Sequence, residues 1–450
     1  MKNITIILLV TTTLTCLAET TGCAVESSTD ALAPSASSAQ TKPFGPIINV
    51  IDLGAVGDDK TDCTRALQQA IDKCAATPGA TVLVPQGAYR ITPLFLKSHV
   101  TLRLESGARL VGPGLFANYP KVKYPAKGAL LSGVNLTDVS IVGEGVIDGN
   151  APSRSKAEMK AIGTYQPRLV ALKSCKKVRL EGVTITHGPN FHASLTGSDI
   201  VLDGVKFIAH TGMPWTAGLG LAGEKIRVMN CSFETGDDNI AFGGVDDVLI
   251  ENCHFGVGHG LSIGSYLHSP VRNITVRNCT FENTTAGLRI KSARDRGNIC
   301  ENIILENITM KSVKDPVSIN AYYGLKLNGL NPKDAAKPVT QTTPIYRNIQ
   351  IVNLKSVDSG VAAVIAGLPE LSVSDVVFKN CRFSSDTGMR LMNVKGLQFI
   401  NTEVLPKSGE ALFVANVQMT GAEKLTTAPF PMPGKGRAAT VESDDKEVQQ

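Results

Sequence analysis

Residues 225–231 read KIRVMNC, residues 247–253 read DVLIENC and residues 273–279 read NITVRNC. In each segment apolar and polar residues alternate before an Asn and a Cys, which is typical of a short, half-buried β-strand followed by a turn. The same pattern recurs at 177–183, 199–205, 302–308, 348–354 and 375–381. A unit of about 22 to 30 residues therefore repeats along most of the chain, with one longer interval near 325–343.

This repeat indicates a solenoid. No segment between the units carries the long 3.6-residue apolar period of a crossover helix. Parallel strands that recur once per coil without helices bury their inward side chains against the coils above and below. We therefore predict an all-β fold over residues 45–420, a single-stranded right-handed parallel β-helix.

Residues 61–71 are predicted to form a short N-terminal capping helix. Ala66, Leu67, Ala70 and Ile71 lie on one face of such a helix, and Thr61 or Asp62 is a possible N-cap. A solenoid needs a cap of this kind to cover the open end of its first coil.

The turn asparagines are predicted to stack from coil to coil as a hydrogen-bonded ladder. They are Asn230, Asn252, Asn278, Asn307, Asn353 and Asn380. The cysteines that follow four of them are interpreted as small buried residues rather than as metal ligands or disulfides. They are Cys231, Cys253, Cys279 and Cys381.

Both ends of the chain differ in composition from the repeat. Residues 1–24 begin with a lysine and a short apolar stretch and are predicted to be a signal peptide. Residues 25–44 are predicted to be a low-complexity linker and residues 421–450 a polar, poorly ordered tail. A lipid anchor at Cys23 is the alternative to plain cleavage, but Thr20 stands where leucine is usual. The expected product is a secreted protein, since no later segment reaches the roughly 20 apolar residues of a membrane span.

Composition narrows the range of partners. The chain has 450 residues, 43% of them hydrophobic, and a net charge of +5. This charge suits an anionic partner but is too small and dispersed to indicate nucleic acid binding. No CxxC motif occurs, so a cysteine-based metal site is not expected. Separately, the protein is expected to be a monomer.

Four polar clusters interrupt the repeat at corresponding places in successive coils, and two of them could exchange protons. Asp237 and Asp238 follow Gly236, which permits the bend that would aim both carboxylates at one site. Two close carboxylates favour one protonated acid beside one ionised base. His259, between two glycines, could meet a ligand or orient a carboxylate. The ordinary alternatives are a solvated turn for the aspartates and a structural role for the histidine.

The other two clusters could bind an acidic sugar. Arg289 and Lys291 are two residues apart on a strand and therefore face the same way, as a cationic clamp for a carboxylate. Tyr322 or Tyr323 could stack on a sugar ring. A solvated basic face and tyrosines that close a coil are the alternatives.

Together these motifs resemble the polygalacturonase family of glycoside hydrolases, family 28. The matching segments are GDDNIAF at 236–242, GHGLSIGS at 258–265, GLRIK at 287–291 and the tyrosine segment. The stretch 50–112 also resembles the capped start of pectin-degrading β-helices. The resemblance implies hydrolysis of α-1,4-galacturonan, the acidic polysaccharide of pectin, with inversion and without a metal or organic cofactor.

The resemblance also implies residue roles. Asp237 would be the general acid, Asp238 one of the carboxylates that activate water, and His259 a supporting hydrogen-bonding residue. Arg289 and Lys291 would bind the galacturonate carboxylate. The tyrosine of the family aligns best with Tyr323, with Tyr322 as its rival.

One motif departs from the family. Where the family has Asn-Thr-Asp-Gly, this chain has Trp-Thr-Ala-Gly at 215–218, so Ala217 replaces a carboxylate that helps to activate water. This departure raises the alternative of a weak or inactive pectin-binding relative. A hydrolase of rhamnogalacturonan and a calcium-dependent lyase on the same fold are two further alternatives. No carboxylate cluster in the sequence suits calcium, which disfavours the lyase. Endo versus exo action stays open.

Overall fold

The computed structural model describes residues 45–77, 79–114, 119, 128–162, 167–324 and 330–431. The predicted signal peptide, Cys23, the linker up to residue 44 and residues 432–450 of the predicted tail lie outside the described residues. Thirty strands pair in one continuous parallel ladder, in which each coil bonds to the next. The protein is therefore the right-handed parallel β-helix that the repeat predicts. Within the described residues, no helix combines the length and the apolar composition that crossing a bilayer requires.

The elements follow one another as coils. The N-terminal coils contain β1 (Ile47–Asn49), a 3-10 turn (Val50–Leu53), β2 (Asp58–Asp62), α1 (Thr64–Ala75), β3 (Thr81–Val84), β4 (Gly87–Arg90), β5 (Leu94–Phe95), β6 (Thr101–Leu104) and β7 (Ala108–Val111). The next coils contain β8 (Ala129–Val134), β9 (Thr137–Gly143), β10 (Val146–Asp148), α2 (Lys156–Ile162), β11 (Arg168–Glu181), β12 (Thr184–Thr186), β13 (Ala193–Asp203) and β14 (Lys206–Ile208).

The central coils contain β15 (Leu219–Met229), β16 (Ser232–Glu234), β17 (Ile240–Glu251), β18 (His254–Phe255), β19 (Leu261–Gly264), β20 (Val271–Arg277), β21 (Thr280–Glu282) and β22 (Ala286–Lys291). The C-terminal coils contain β23 (Ile299–Lys311), β24 (Asp315–Asn320), β25 (Ile345–Val361), β26 (Val364–Ala366), β27 (Val373–Lys379), β28 (Arg382–Ile400), β29 (Glu403–Thr420) and β30 (Thr427–Pro429).

Coils stack in register, so that one strand position points inward in every coil. Leu219, Ile240, Leu261 and Leu288 pair in succession on β15, β17, β19 and β22, and all four are buried. Neighbouring strands of a sheet lie about 4.8 Å apart. A side chain at a given place in one coil therefore has the corresponding side chain of the next coil as its neighbour.

A stack of phenylalanines fills the centre of four coils. Phe207, Phe233, Phe255 and Phe281 pack face to face, with ring centroids 4.8, 5.1 and 4.5 Å apart. All four rings are buried, so the stack forms a continuous apolar column inside the coils that carry the polar clusters.

Replacing Phe233 by Ala is expected to lower the free energy of unfolding by about 3–5 kcal/mol, because it removes an aromatic ring from the middle of this column. Chemical denaturation followed by circular dichroism measures the change. The matched control is Phe95→Ala, since Phe95 is 39% exposed. Equal losses in the two variants would contradict a central role for the column.

The predicted asparagine ladder exists from Asn278 onward. Each Nδ2 donates to the Oδ1 of the previous coil, from Asn307 to Asn278 (3.1 Å), Asn353 to Asn307 (2.9 Å) and Asn380 to Asn353 (3.1 Å). Asn401 extends it beyond the predicted set with a bond of 3.0 Å to Asn380. The prediction is wrong for Asn230, which donates to Asp203 on the previous coil instead. These asparagines have φ near +55°, a conformation that Asn adopts more readily than most residues.

The cysteines behave as the sequence predicts. All eight in the described residues are buried free thiols, including Cys231, Cys253, Cys279 and Cys381. A hydrogen bond with Cys231 raises the pKa of Cys253 to about 12, and burial raises that of Cys381 to about 11. These two thiols therefore stay protonated at neutral pH.

The capping helix is also present, but it starts later than expected. α1 begins at Thr64 and buries the predicted face together with Cys74 against the first strands. Cys63 occupies the N-cap position, so neither predicted cap stands there. Asp62 still contributes, because its carboxylate accepts a hydrogen bond of 2.9 Å from the Thr64 backbone N–H.

Paired structure continues past residue 420, the expected end of the β-helix. β30 pairs with β29, and Phe430 is buried.

Candidate active site

The fold brings the predicted clusters of aspartates, histidine and basic residues together. Asp237 and Asp238 lie in the turn before β17, His259 precedes β19 in the next coil, and Arg289 and Lys291 lie on β22 in the coil after that. Because β17, β19 and β22 pair in register, these side chains occupy neighbouring positions on one face.

Asp238 lies at the centre of the cluster. Arg289 Nη2 donates to its Oδ1 over 2.6 Å, and Lys291 Nζ lies 3.9 Å from its Oδ2. Burial alone would raise the pKa of Asp238, but the charges of Lys291 and Arg289 outweigh it and hold the pKa far below its usual value. Asp238 is therefore ionised at any pH at which the protein would work.

His259 joins the two aspartates. Its Nδ1 lies 3.0 Å from Asp237 Oδ1 and 3.6 Å from Asp238 Oδ1. Burial lowers the pKa of His259, but hydrogen bonds to both carboxylates more than compensate and raise it above 6.5. Arg289 Nη2 lies 3.4 Å from the same nitrogen, but Arg289 and protonated His259 are both donors. The shorter contact, to Asp237, is therefore the hydrogen bond.

A tight turn holds Asp237 in place. Its Oδ1 accepts a hydrogen bond of 2.7 Å from the Asp238 backbone N–H, and its carbonyl oxygen accepts bonds of 2.9 Å from Thr235 Oγ1 and His259 N. Gly236 is essential to this turn, because a Cβ there would lie 1.7 Å from the Met213 carbonyl oxygen.

Asn239 supports the turn from inside the coil and was not predicted. The side chain is fully buried, its Nδ2 donates to Thr235 Oγ1 (3.0 Å) and the Val257 carbonyl (3.1 Å), and its Oδ1 accepts from Gly260 N (2.7 Å). A polar residue at an inward position of the repeat is the signal that could have identified it.

The structure separates the two tyrosines. The ring centre of Tyr323 lies 5.1 Å from Lys291 Nζ, so Tyr323 borders the cluster. Tyr322 is buried and donates its hydroxyl to Asp334 over 3.2 Å. Tyr323 is therefore the one of the two that lies beside Lys291.

Ala217 lies next to Asp238 on the preceding coil. Gly218 N donates to the Asp238 carbonyl over 2.9 Å, which fixes the register that the sequence indicates. Ala217 is completely buried, and its carbonyl oxygen accepts bonds of 2.9 and 3.0 Å from the N and Nδ1 of His192. The sequence did not predict this role of His192, a fully buried residue that supports the Ala217 backbone.

The cluster could in principle hold a cation. Among the described residues, Asp237, Asp238 and His259 form the one group whose possible metal ligands lie together, within 4.8 Å of one another. Arg289 and Lys291 already neutralise Asp238, and a metal ion would be repelled by both. The arrangement favours proton transfer and anion binding over metal binding.

Comparisons with known proteins agree with this geometry. The family model described as glycosyl hydrolases family 28 matches residues 74–400. An endo-polygalacturonase of Pectobacterium carotovorum subsp. carotovorum is 28% identical, over 75% of this chain and 88% of its own. A polygalacturonase of Juniperus ashei is 26% identical, over 75% of this chain, and the match spans 67% of its length. The structure of a family 28 exopolygalacturonase of Yersinia enterocolitica superposes with a TM-score of 0.71 at 21% identity, covering 84% of this chain and 78% of that one.

The structural likeness establishes the fold, and the family model, which covers well over half of the chain, establishes the relationship. The matched region includes every coil that contributes to the cluster around Asp238. The chain therefore belongs to family 28 of the glycosyl hydrolases, the polygalacturonase family, and is a glycoside hydrolase of that type.

Proposed function

We propose that this enzyme hydrolyses α-1,4-galacturonan, the acidic polysaccharide of pectin. The observation that carries the proposal is Asp238, an ionised carboxylate held between Arg289 and Lys291 and next to the Asp237–His259 pair. Asp237 and Asp238 carry at most two negative charges against three cationic side chains when His259 is protonated, so the cluster retains positive charge. A chain of galacturonates supplies the negative charge that this cluster attracts.

Asp237 is the proposed general acid. Protonated at Oδ2, it would deliver a proton to the departing glycosidic oxygen, while Oδ1 keeps its hydrogen bond to His259. Asp238, which stays ionised, would orient and deprotonate the attacking water. His259 would serve as a positioning residue whose Nδ1 contact orients the carboxyl group of Asp237.

Arg289, Lys291 and Tyr323 are the proposed binding residues for one galacturonate unit. Arg289 also donates to Ser262 Oγ over 3.3 Å, which orients its guanidinium beside Asp238. A substrate carboxylate would share these cations with Asp238 and place the sugar next to the carboxylates.

Inversion of configuration is proposed from the family resemblance. Inverting pairs usually have carboxyl groups roughly 6.5–9.5 Å apart, so that water fits between them. The potential ligand atoms of Asp237, Asp238 and His259 lie within 4.8 Å of one another, so spacing alone does not favour inversion. Proton NMR of the first product formed from oligogalacturonate tests it, and we expect the anomer opposite to that of the substrate linkage.

The substrate proposal is tested by measuring reducing ends released from polygalacturonate, from rhamnogalacturonan and from a neutral glucan. Release from polygalacturonate that is unaffected by chelator and yields no product absorbing in the ultraviolet supports the proposal. Release of reducing ends from rhamnogalacturonan alone would instead show that rhamnogalacturonan is the substrate.

A non-catalytic pectin-binding protein is the alternative, and the buried Ala217 beside Asp238 is the observation that favours it. Binding of polygalacturonate without any release of reducing ends would support that alternative.

Export is proposed from the N-terminal sequence, and a monomer in solution is the expected state. Sequencing the N-terminus of the protein recovered from the medium and sedimentation test these two points.

His259 should set the alkaline side of the pH profile. Since hydrogen bonds to the aspartates raise its pKa, it keeps its proton to a higher pH than an ordinary imidazole and loses it as the pH rises further. We expect kcat/KM to fall through that range, and the same deprotonation to remove the stability that the ion pairs of His259 contribute. The His259→Gln variant should lose this alkaline limb and should also have a lower rate. The control is His99→Gln, since His99 forms an exposed pair with Asp138, and this variant should keep the pH profile of the wild type.

A further inference from the structure

A row of alternating cationic and aromatic side chains leads away from the carboxylates. Lys291 Nζ lies 5.1 Å from the ring centre of Tyr323. The guanidinium carbon of Arg296 lies 5.7 Å from the same ring and 4.9 Å from the ring of Tyr266. Tyr266 in turn stacks on His268, with ring centroids 5.8 Å apart and an interplanar angle of 12°.

This row runs from the protein interior to solvent. The side chain of Lys291 is 8% exposed and that of Arg296 is 21% exposed, whereas Tyr266 is 49% exposed. The exposed ring of Tyr266 is therefore contiguous with the proposed binding residues through Arg296 and Tyr323.

Arg296 is fixed in place, and no close carboxylate of the described residues occupies its guanidinium. Its Nη2 donates to the Tyr323 carbonyl over 2.9 Å, and its Nε is a buried atom that has no hydrogen-bond partner in the described part of the chain. Asp295, at 3.9 Å, is a weak partner because its side chain is 86% exposed. Gly324 provides the room for this arrangement, since a Cβ there would lie 3.0 Å from Arg296 Nη2.

We propose that Arg296 and Tyr266 form a further binding subsite for a second uronate unit of the same polymer. Arg296 binds the carboxylate of that unit, and the ring of Tyr266 packs against its sugar face. The inference rests on the proposed function, because a polymer with a carboxylate on every unit presents a second anion beyond the one bound at Lys291. Planar guanidinium groups suit carboxylates, and their stacking on tyrosine reduces the entropy lost on binding.

The neighbouring arginine, Arg294, is not available to bind a substrate carboxylate. Arg294 donates to Glu370 over 2.6 and 3.1 Å and to Asp334 over 2.6 Å, so its guanidinium is occupied by two carboxylates. Arg296 has no such carboxylate pair. The two arginines, two residues apart, therefore differ in what they can still bind.

The test compares Arg296→Gln and Tyr266→Ala with the wild type on oligogalacturonates of increasing length. Loss of a charge-assisted contact should lower kcat/KM at least roughly tenfold on long oligomers, mainly through KM, and less than about twofold on the shortest cleaved oligomer. For Arg296→Gln the loss should disappear on oligomers that are methyl-esterified at the second unit only and keep the carboxylate of the unit bound at Arg289 and Lys291. Arg382→Gln, an exposed pair with Glu403 on a distant coil, is the matched control.

Equal losses at every length, or no loss at any length with an active wild type, would overturn the subsite and leave the proposed function intact. Failure of the wild type to cleave or bind any oligogalacturonate would overturn the proposed function and the subsite with it. If Arg296→Gln does not fold, Tyr266→Ala carries the test, since Tyr266 is half exposed. Melting temperatures of all variants separate a loss of fold from a loss of binding.

Discussion

Replacing Asp238 by Asn is expected to lower kcat on polygalacturonate by about two to four powers of ten, because the amide cannot take a proton from water. The size of Asn matches that of Asp, so the packing around position 238 should persist. Binding should change less than the rate, since Arg289 and Lys291 lose a competing anion and become available to the substrate. Measuring kcat and KM separately tests both parts.

Asp386→Asn is the matched control for this variant. Asp386 pairs with Lys407, and both side chains are more than half exposed, so its neutralisation should leave kcat unchanged. An Asp238→Asn enzyme with a wild-type rate would show that another group activates water.

Replacing Ala217 by Asp is expected to raise kcat by about two powers of ten or more, because it restores a second carboxylate beside the attacking water. Position 217 lies on the coil next to Asp238, at the strand spacing of about 4.8 Å. The cations that already neutralise Asp238 would offset much of the added repulsion. Some stability should be lost, since Ala217 is completely buried.

The Ala217→Asn variant distinguishes the effect of an added negative charge at position 217 from the effect of a larger side chain. It adds nearly the same volume but no base, so its kcat should not exceed that of the wild type. Equal rates for the wild type, Ala217→Asn and Ala217→Asp would show that a carboxylate at this position does not limit the reaction. Initial release of reducing ends, with denaturation curves for each variant, provides the comparison.

Much of the cluster could be predicted from the sequence because the repeat is so regular. Once the coils are known to stack in register, residues about one repeat apart must meet, and Asp238, His259 and Arg289 do so. The local alternation of polar and apolar residues also predicts which side chains point inward.

Corners of the coils were harder to predict. The alternation ends there, so the pattern alone could not distinguish Tyr322 from Tyr323, and only the family resemblance favoured Tyr323. The helix cap, Cys63, follows the two predicted candidates, Thr61 and Asp62. His192 and Arg296 were missed because their roles depend on backbone carbonyls and rings supplied by other coils. Such contacts depend on the path of each corner, which pattern alone does not specify.

Because the coils stack in register, the residues that react and the residues that bind distant units of a polymer can lie on different coils. Proton transfer is assigned to consecutive coils around Asp238, while units of a polymer that runs farther along the stack would meet other coils. Duplication or deletion of a whole coil near either end would lengthen or shorten the track for the glycan by one strand spacing and leave the reacting groups in place. Relatives could therefore diverge in the chain length they prefer while keeping a common reaction.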